Sequence, residues 1–380
     1  LADSTGSTHW RIGVVATLLC FVLLNVALYP LKGYFARQHR TNLMQADHSG
    51  DVTTATPRYD WSTGSDQTTY WTYMPDARTT KLVVIDGMSQ LYAINDQQPG
   101  DRITSEILDD SLRTSGSRVF GIAAPNLDHE EMLFHVQALV ANPATTPDVL
   151  VFGVCFDKMR NTELRPTMAQ VLTSDAALSR TWQHFADSVS AEFPDLAVAM
   201  SRTLTDAHAQ DVTRVDQRVE QSLVSTMAQV LPLVGLRTDL RSFLYEQTYL
   251  LRNWAFRIKT STKRPVLNDR YVLNQQALVA GVRLAQQHGI KVLLYVIPLN
   301  ESADAPYVTS QYDAFKQWLA TTAQAEGVAF ANLESIVPNK SWGLLYGQPD
   351  FKHFKEAGHV ATANALLPLV RSVLPETVKP

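Results

Sequence analysis

The chain has 380 residues, and its hydrophobic content of 45% against 18% charged provides for a sizeable core in one large domain or two ordinary ones. A net charge of −4 excludes an obligate nucleic-acid binder, because there is no basic excess to release phosphate counterions. The two cysteines, Cys20 and Cys155, have no metal-ligand spacing and no disulfide is expected between them, so the residues call for neither a metal nor a cofactor.

Residues 12–31 form a run without a formal charge. A helix of that length spans roughly 30 Å, the hydrocarbon thickness of a bilayer. Trp10 and Tyr29 flank it where amphipathic rings prefer the headgroups. We expect an N-terminal transmembrane anchor over 1–32, a single pass. A cleaved signal peptide fits less well, since no A-x-A-like site follows. Arg11 precedes the run while Lys32, Arg37 and Arg40 follow it, and that bias, read alone, puts the C-terminal domain in the cytoplasm. Residues 33–79 are polar and turn-rich and read as a stalk that partly packs on the domain. Its aromatics Tyr59, Trp61, Tyr70, Trp71 and Tyr73 are better explained as packing area than as a carbohydrate platform.

From residue 80 the pattern alternates. Residues 81–85, 118–124, 148–154, 291–297 and 328–333 read as short apolar strands. Residues 103–112, 129–140, 278–288, 312–327 and 356–374 read as helices. In the second of these Met132, Leu133, Val136, Leu139 and Val140 recur at helical spacing. Such alternation implies an α/β domain over 80–375: a three-layer, flavodoxin-like parallel sheet with helices on both faces. Residues 167–258 interrupt it with further helical spacing, through Val171, Leu178, Trp182, Phe185 and Val189. We expect a helical insertion, with its apolar 231–236 and 243–256 stretches buried against the sheet. A nucleotide-binding reading lacks any glycine-rich phosphate loop.

Two short stretches carry chemistry. Ser89 follows the first strand, two residues after Gly87, on a turn that exposes a hydroxyl at the carboxyl end of the sheet. Asp350 and His353 share one turn before the last helix, so the carboxylate can hold one ring nitrogen and leave the other outward as a base. Parallel strands bring both stretches to one edge. His359 is expected to pack or cap, and Asp86 to hydrogen-bond the Ser89 turn. Asp157, Arg160 and Asn161 lie where the third strand ends and are candidates for substrate or oxyanion contact, with a structural ion pair an equal alternative for Asp157 and Arg160.

Together, Gly87-Met88-Ser89, then Asp350-Phe351-Lys352-His353 with Gly358, resemble the SGNH (GDSL-like) hydrolase superfamily over about 80–160 and 285–375. The family's second block supplies an oxyanion glycine; Asn126 stands there, and asparagine tolerates the left-handed backbone glycine would take. Its third block reads G-x-N-D; here Gly153-Val154-Cys155-Phe156-Asp157 lacks the asparagine. The resemblance implies a serine esterase or O-acyltransferase with Ser89, His353 and Asp350 as its triad, and the Ser89 and Asn126 N–H groups as its oxyanion hole. The arrangement is most similar to a membrane-anchored envelope branch that serves teichoic-acid D-alanylation and alginate or cellulose O-acetylation. That branch implies an extracytoplasmic domain, a polysaccharide or acyl-ester substrate, a membrane-bound O-acyltransferase partner and no cofactor. The alternative is a scaffold of the same fold that binds polysaccharide or a membrane partner without turnover.

Overall fold

The computed structural model describes residues 19–26, 28, 58–60, 74–124, 126–211, 248, 251–252, 256, 262–345 and 348–375. Most of the expected anchor, most of the stalk with Trp61, Tyr70, Trp71 and Tyr73, and the 231–236 stretch lie outside them. So does most of 243–256; of its described residues Leu251 and Phe256 are exposed, at 62% and 74%, where burial was expected. The chain divides into two compact units, Leu1–Asp47 with Gln210–Lys259, and His48–Ala209 with Thr260–Pro380.

In the first unit, residues 19–26 are helical. Leu19, Val22, Leu23, Leu24 and Val26 are each more than half exposed. Among the described residues no helix is long and apolar enough to cross a membrane.

The second unit is built on a parallel sheet of six strands, ordered β1-β3-β2-β4-β5-β6. They are β1 (Arg58–Asp60), β2 (Lys81–Met88), β3 (Ser117–Ala124), β4 (Val149–Val154), β5 (Lys291–Val296) and β6 (Ala329–Asn332). Side chains alternate across the sheet. Leu82, Val84, Leu150, Phe152, Val292 and Leu294 enter one apolar layer. Val83, Ile85, Val149, Val151, Leu293 and Tyr295 enter the other. Helices cover both faces, so nearly every position of the central strands is apolar, as burial on two sides requires. The first layer is completed by α2 (His129–Val140), α3 (Pro166–Ser174), α4 (Ala176–Val189), α5 (Pro194–Asp211), α6 (Asn268–Gln287) and α7 (Thr309–Ala325). The second is completed by α1 (Thr104–Arg113) and α8 (Glu356–Val373).

Three features differ from the sequence reading. Residues 58–60, inside the expected stalk, add an edge strand beside β3; three residues are too few to show a period. Helix α6 starts at Asn268 rather than at 278, and Tyr271 and Leu273 of its first turns already pack against the first layer. Asp350 and His353 stand not in a plain loop but in an antiparallel hairpin of β7 (Trp342–Leu345) and β8 (Gln348–Phe354). Leu344 pairs with Pro349 and Trp342 with Phe354, so 350–353 bulge out opposite Gly343. Bulges of this kind re-aim side chains beside active sites.

Candidate active site

Strand β2 runs between β3 and β4 and ends in a short 3-10 turn, Ser89–Leu91. Gly87 permits that turn to close: a Cβ there would stand 2.9 Å from Leu91 Cδ1. The turn delivers the Ser89 hydroxyl to the carboxyl edge, and the hairpin bulge delivers His353 to the same place. Ser89 Oγ lies 2.9 Å from His353 Nε2 across 264 positions of sequence. His353 Nδ1 lies 2.9 Å from Asp350 Oδ2. Exposure is 5% at Ser89, 6% at His353 and 1% at Asp350, so the contact is screened from bulk water without being sealed.

The Asp350 carboxylate sets the tautomer of the ring. Burial pushes it up, but the hydrogen bond and charge of His353, with the Lys352 and His353 backbone N–H groups at 3.0 and 3.1 Å, hold it below its ordinary value. An ionised carboxylate only accepts, so Nδ1 donates to it and Nε2 keeps its lone pair toward Ser89.

Residues that no motif signals support this geometry. Gln90, buried beside Ser89, donates from Nε2 to the carbonyls of Pro298 at 2.8 Å and Lys352 at 2.7 Å. One amide thereby ties the serine turn to the loop after β5 and to the histidine bulge. Asn300 Nδ2 donates to the Asp350 carbonyl at 2.9 Å. Asn95 Nδ2 donates to Leu344 O at 3.2 Å and reaches Asp350 Oδ2 at 3.4 Å. Asn95 fills the space a Cβ on residue 343 would need, which is why glycine stands there. Gln90→Glu replaces the donor with an oxygen facing two carbonyls. We expect kcat on an aryl ester to fall about 10–10²-fold with little change in KM, since small misplacements of reacting groups cost that much. An unchanged melting temperature would separate positioning from unfolding.

The remaining candidates are dispersed. Asn126 is exposed at the end of β3 with φ 51°, the left-handed backbone expected of it, and its N–H makes no hydrogen bond among the described residues. Cys155 is buried, with Sγ 3.7 Å from Tyr307 Oη, and burial pushes its thiol up. Asp157 pairs with Lys352 Nζ at 3.4 Å. Arg160 is half-buried, and its carbonyl accepts from Arg270 Nη1 at 2.9 Å. Asn161 is exposed, and its carbonyl accepts from Asn274 Nδ2 at 2.7 Å. None of Asp157, Arg160 or Asn161 hydrogen-bonds Ser89, His353 or Asp350 among the described residues.

Asp86 departs from expectation. It points away from the serine turn, fully buried, with Oδ2 2.9 Å from His135 Nδ1 of α2. An interior strand alternates faces, so Asp86 enters the layer opposite Ile85. His359 packs edge-on to Phe354 at 4.6 Å. Its Nδ1 accepts from the Thr104 N–H at 3.2 Å, capping α1 where Ile103 offers no side-chain oxygen.

Lys158 is a cost in this arrangement. It is 1% exposed and Nζ has no hydrogen-bond partner among the described residues. Burial brings its ammonium down from 10.5 to about 7. Between those values the unfolded chain keeps a proton the folded chain has released, so its contribution to stability improves as pH rises. Lys158→Met should therefore stabilise the protein at pH 7 by about 2–5 kcal/mol. In denaturant melts the advantage should shrink as pH approaches 10.5.

No protein-family model matches the chain, and no curated protein matches it. Solved structures similar to it include an acylhydrolase candidate from Bacteroides fragilis, 14% identical over 80% of this chain and 91% of that one, with a TM-score of 0.36. A GDSL-like lipase from Bacteroides thetaiotaomicron is 10% identical over 83% of this chain and all of that one, at 0.39. TesA is 15% identical over 77% of this chain and all of that one, at 0.36. At those identities and scores the likenesses carry no argument about activity or substrate.

Proposed function

We propose that the chain is a serine esterase or O-acyltransferase that works through Ser89, His353 and Asp350. The observation that supports this most is the 2.9 Å contact of Ser89 Oγ with His353 Nε2, backed by a 2.9 Å contact of the other ring nitrogen with a buried carboxylate. This is hydrogen-bond reach between nucleophile and base, with a third group orienting the base.

His353 Nε2 takes the hydroxyl proton as Ser89 Oγ bonds to the ester carbonyl carbon. The oxyanion is held by the backbone N–H groups of Ser89 and Asn126. The imidazolium, stabilised by Asp350, gives its proton to the departing alcohol as the ester C–O bond breaks. Water, or a sugar hydroxyl, loses a proton to His353 as it bonds to the acyl carbon; the acyl–Oγ bond then breaks and Ser89 Oγ takes the proton back from the imidazolium.

The acyl ester belongs to a cell-envelope or secreted polysaccharide, and the chain is held at the membrane through its apolar N-terminal segment. The exposed apolar residues at 19–26 support that attachment. The domain faces the extracytoplasmic side and serves a membrane-bound O-acyltransferase. A second reading, a scaffold that binds without turnover, is favoured by Cys155 standing where a donor asparagine would help hold the oxyanion. Loss of one such donor typically costs about 10²–10³ in rate. Turnover of aryl acetates by the full chain, abolished in Ser89→Ala, decides between the two.

A further inference from the structure

The carboxyl edge of the sheet carries arginines that make no ion pair among the described residues. Arg160 ends the 3-10 turn Phe156–Arg160 that follows β4. Arg270, in the first turn of α6, reaches over and donates to the Arg160 carbonyl at 2.9 Å. Arg264 is tied alongside: its N–H donates to Pro306 O at 3.0 Å, and the next residue, Tyr307, packs edge-on to Phe156 at 5.1 Å and Phe351 at 5.9 Å. Phe351 lies two residues from His353 in the bulge. None of the three guanidinium groups makes an ion pair among the described residues.

The acids nearby do not balance them. Asp157, the carboxylate facing Arg160, is already shared with Lys352 at 3.4 Å. Asp304 is held by Lys263 at 2.6 Å. Asp269 is exposed beside Arg270 and is the one further acid in the first turn of α6. Burial first, then the neighbouring Arg264 and Arg270 charges, pull the Arg160 guanidinium below its ordinary value against the attraction of Asp157. Helix α6 adds to the field. Its N-cap, Leu267, offers no side-chain acceptor, and the N–H groups of Asn268, Asp269 and Arg270 have no acceptor among the described residues. A protein of net charge −4 thus gathers three arginines at this edge, joined to the His353 bulge through the Asp157–Lys352 pair at 3.4 Å and the Tyr307–Phe351 contact at 5.9 Å.

We propose that Arg160, Arg264 and Arg270 form a subsite for an anionic group, a carboxylate or a phosphate, on the substrate whose ester faces Ser89. Planar guanidinium forks suit both anions. The inference rests on the esterase reading for the identity of the substrate, but the anion site itself can be tested without turnover.

Binding to the Ser89→Ala chain, measured by calorimetry at low salt, uses three probes: oligogalacturonate for carboxylate, oligomeric glycerol phosphate for phosphate, and a neutral cello-oligosaccharide. We expect one of the anionic probes to bind at least about tenfold tighter than the neutral one. That preference should fall with added salt and vanish in Arg160→Gln/Arg264→Gln. Arg264→Gln alone, at a half-exposed position, gives a smaller loss and serves if the double variant melts early. Equal binding of all three probes, or a preference that survives both variants, would overturn the subsite. If the wild type hydrolyses no ester yet the preference holds and is lost in the variants, the esterase reading fails and the anion site stands.

Discussion

Ser89→Ala is expected to reduce ester turnover by about 10⁴–10⁶-fold, leaving at most what binding and the oxyanion donors supply. The reason is chemical rather than structural. Removing Oγ takes away the one hydroxyl that, among the described residues, lies 2.9 Å from His353 Nε2 with a proton to give. Packing changes little, because alanine keeps the Cβ and the hydroxyl makes no other hydrogen bond among the described residues. The fold should hold, with a melting temperature close to that of the wild type. Steady-state kinetics on an aryl acetate, alongside thermal melting, measure both. Retained turnover would remove Ser89 from the mechanism.

Asp350→Asn is expected to lower kcat by about 10⁴-fold, the scale seen when a triad histidine is left in the wrong tautomer. The amide can donate to Nδ1, which then presents Nε2–H, not a lone pair, to Ser89. The same substitution has a signature in stability. The Asp350 carboxyl sits below its ordinary 3.8 in the folded chain. Its stabilising contribution is therefore complete above 3.8 and is lost as pH falls through the lower folded value. The variant should be less stable than the wild type at pH 7, and the difference should close on acidification. Denaturant melts from pH 7 down to pH 3 check the sign. A gap that widens in acid would mean that Asp350 is not held as an anion.

Much of this arrangement is legible before any coordinates. Strands β2, β3, β4 and β5 announce themselves as apolar runs because both faces of the sheet are covered. Ser89 and the Asp350–His353 pair can be matched because parallel strands send their carboxyl ends to one edge. What escapes is whatever depends on contacts distant in sequence with no period behind them. Trp342–Leu345 and Gln348–Phe354 contain Gly343 and Pro349 and show no alternation, so the hairpin is invisible until it is seen to hold Asn95 over Gly343. Gln90 reads as an ordinary polar residue; its value lies in two carbonyls, at 298 and 352, that it joins. Asp86 misleads because proximity to Ser89 along the chain suggests a shared site, whereas alternation within the strand turns it to His135. Lys158 gives no sign of burial either, since lysine is rarely enclosed without a partner.

The account turns on an activated hydroxyl at position 89, and a fluorophosphonate probe reads that state directly. On the 380-residue chain at neutral pH we expect a single phosphonylated peptide containing Ser89, absent in Ser89→Ala and formed far more slowly in His353→Ala. A wild-type chain that takes no label, or a label that persists in Ser89→Ala, would contradict it.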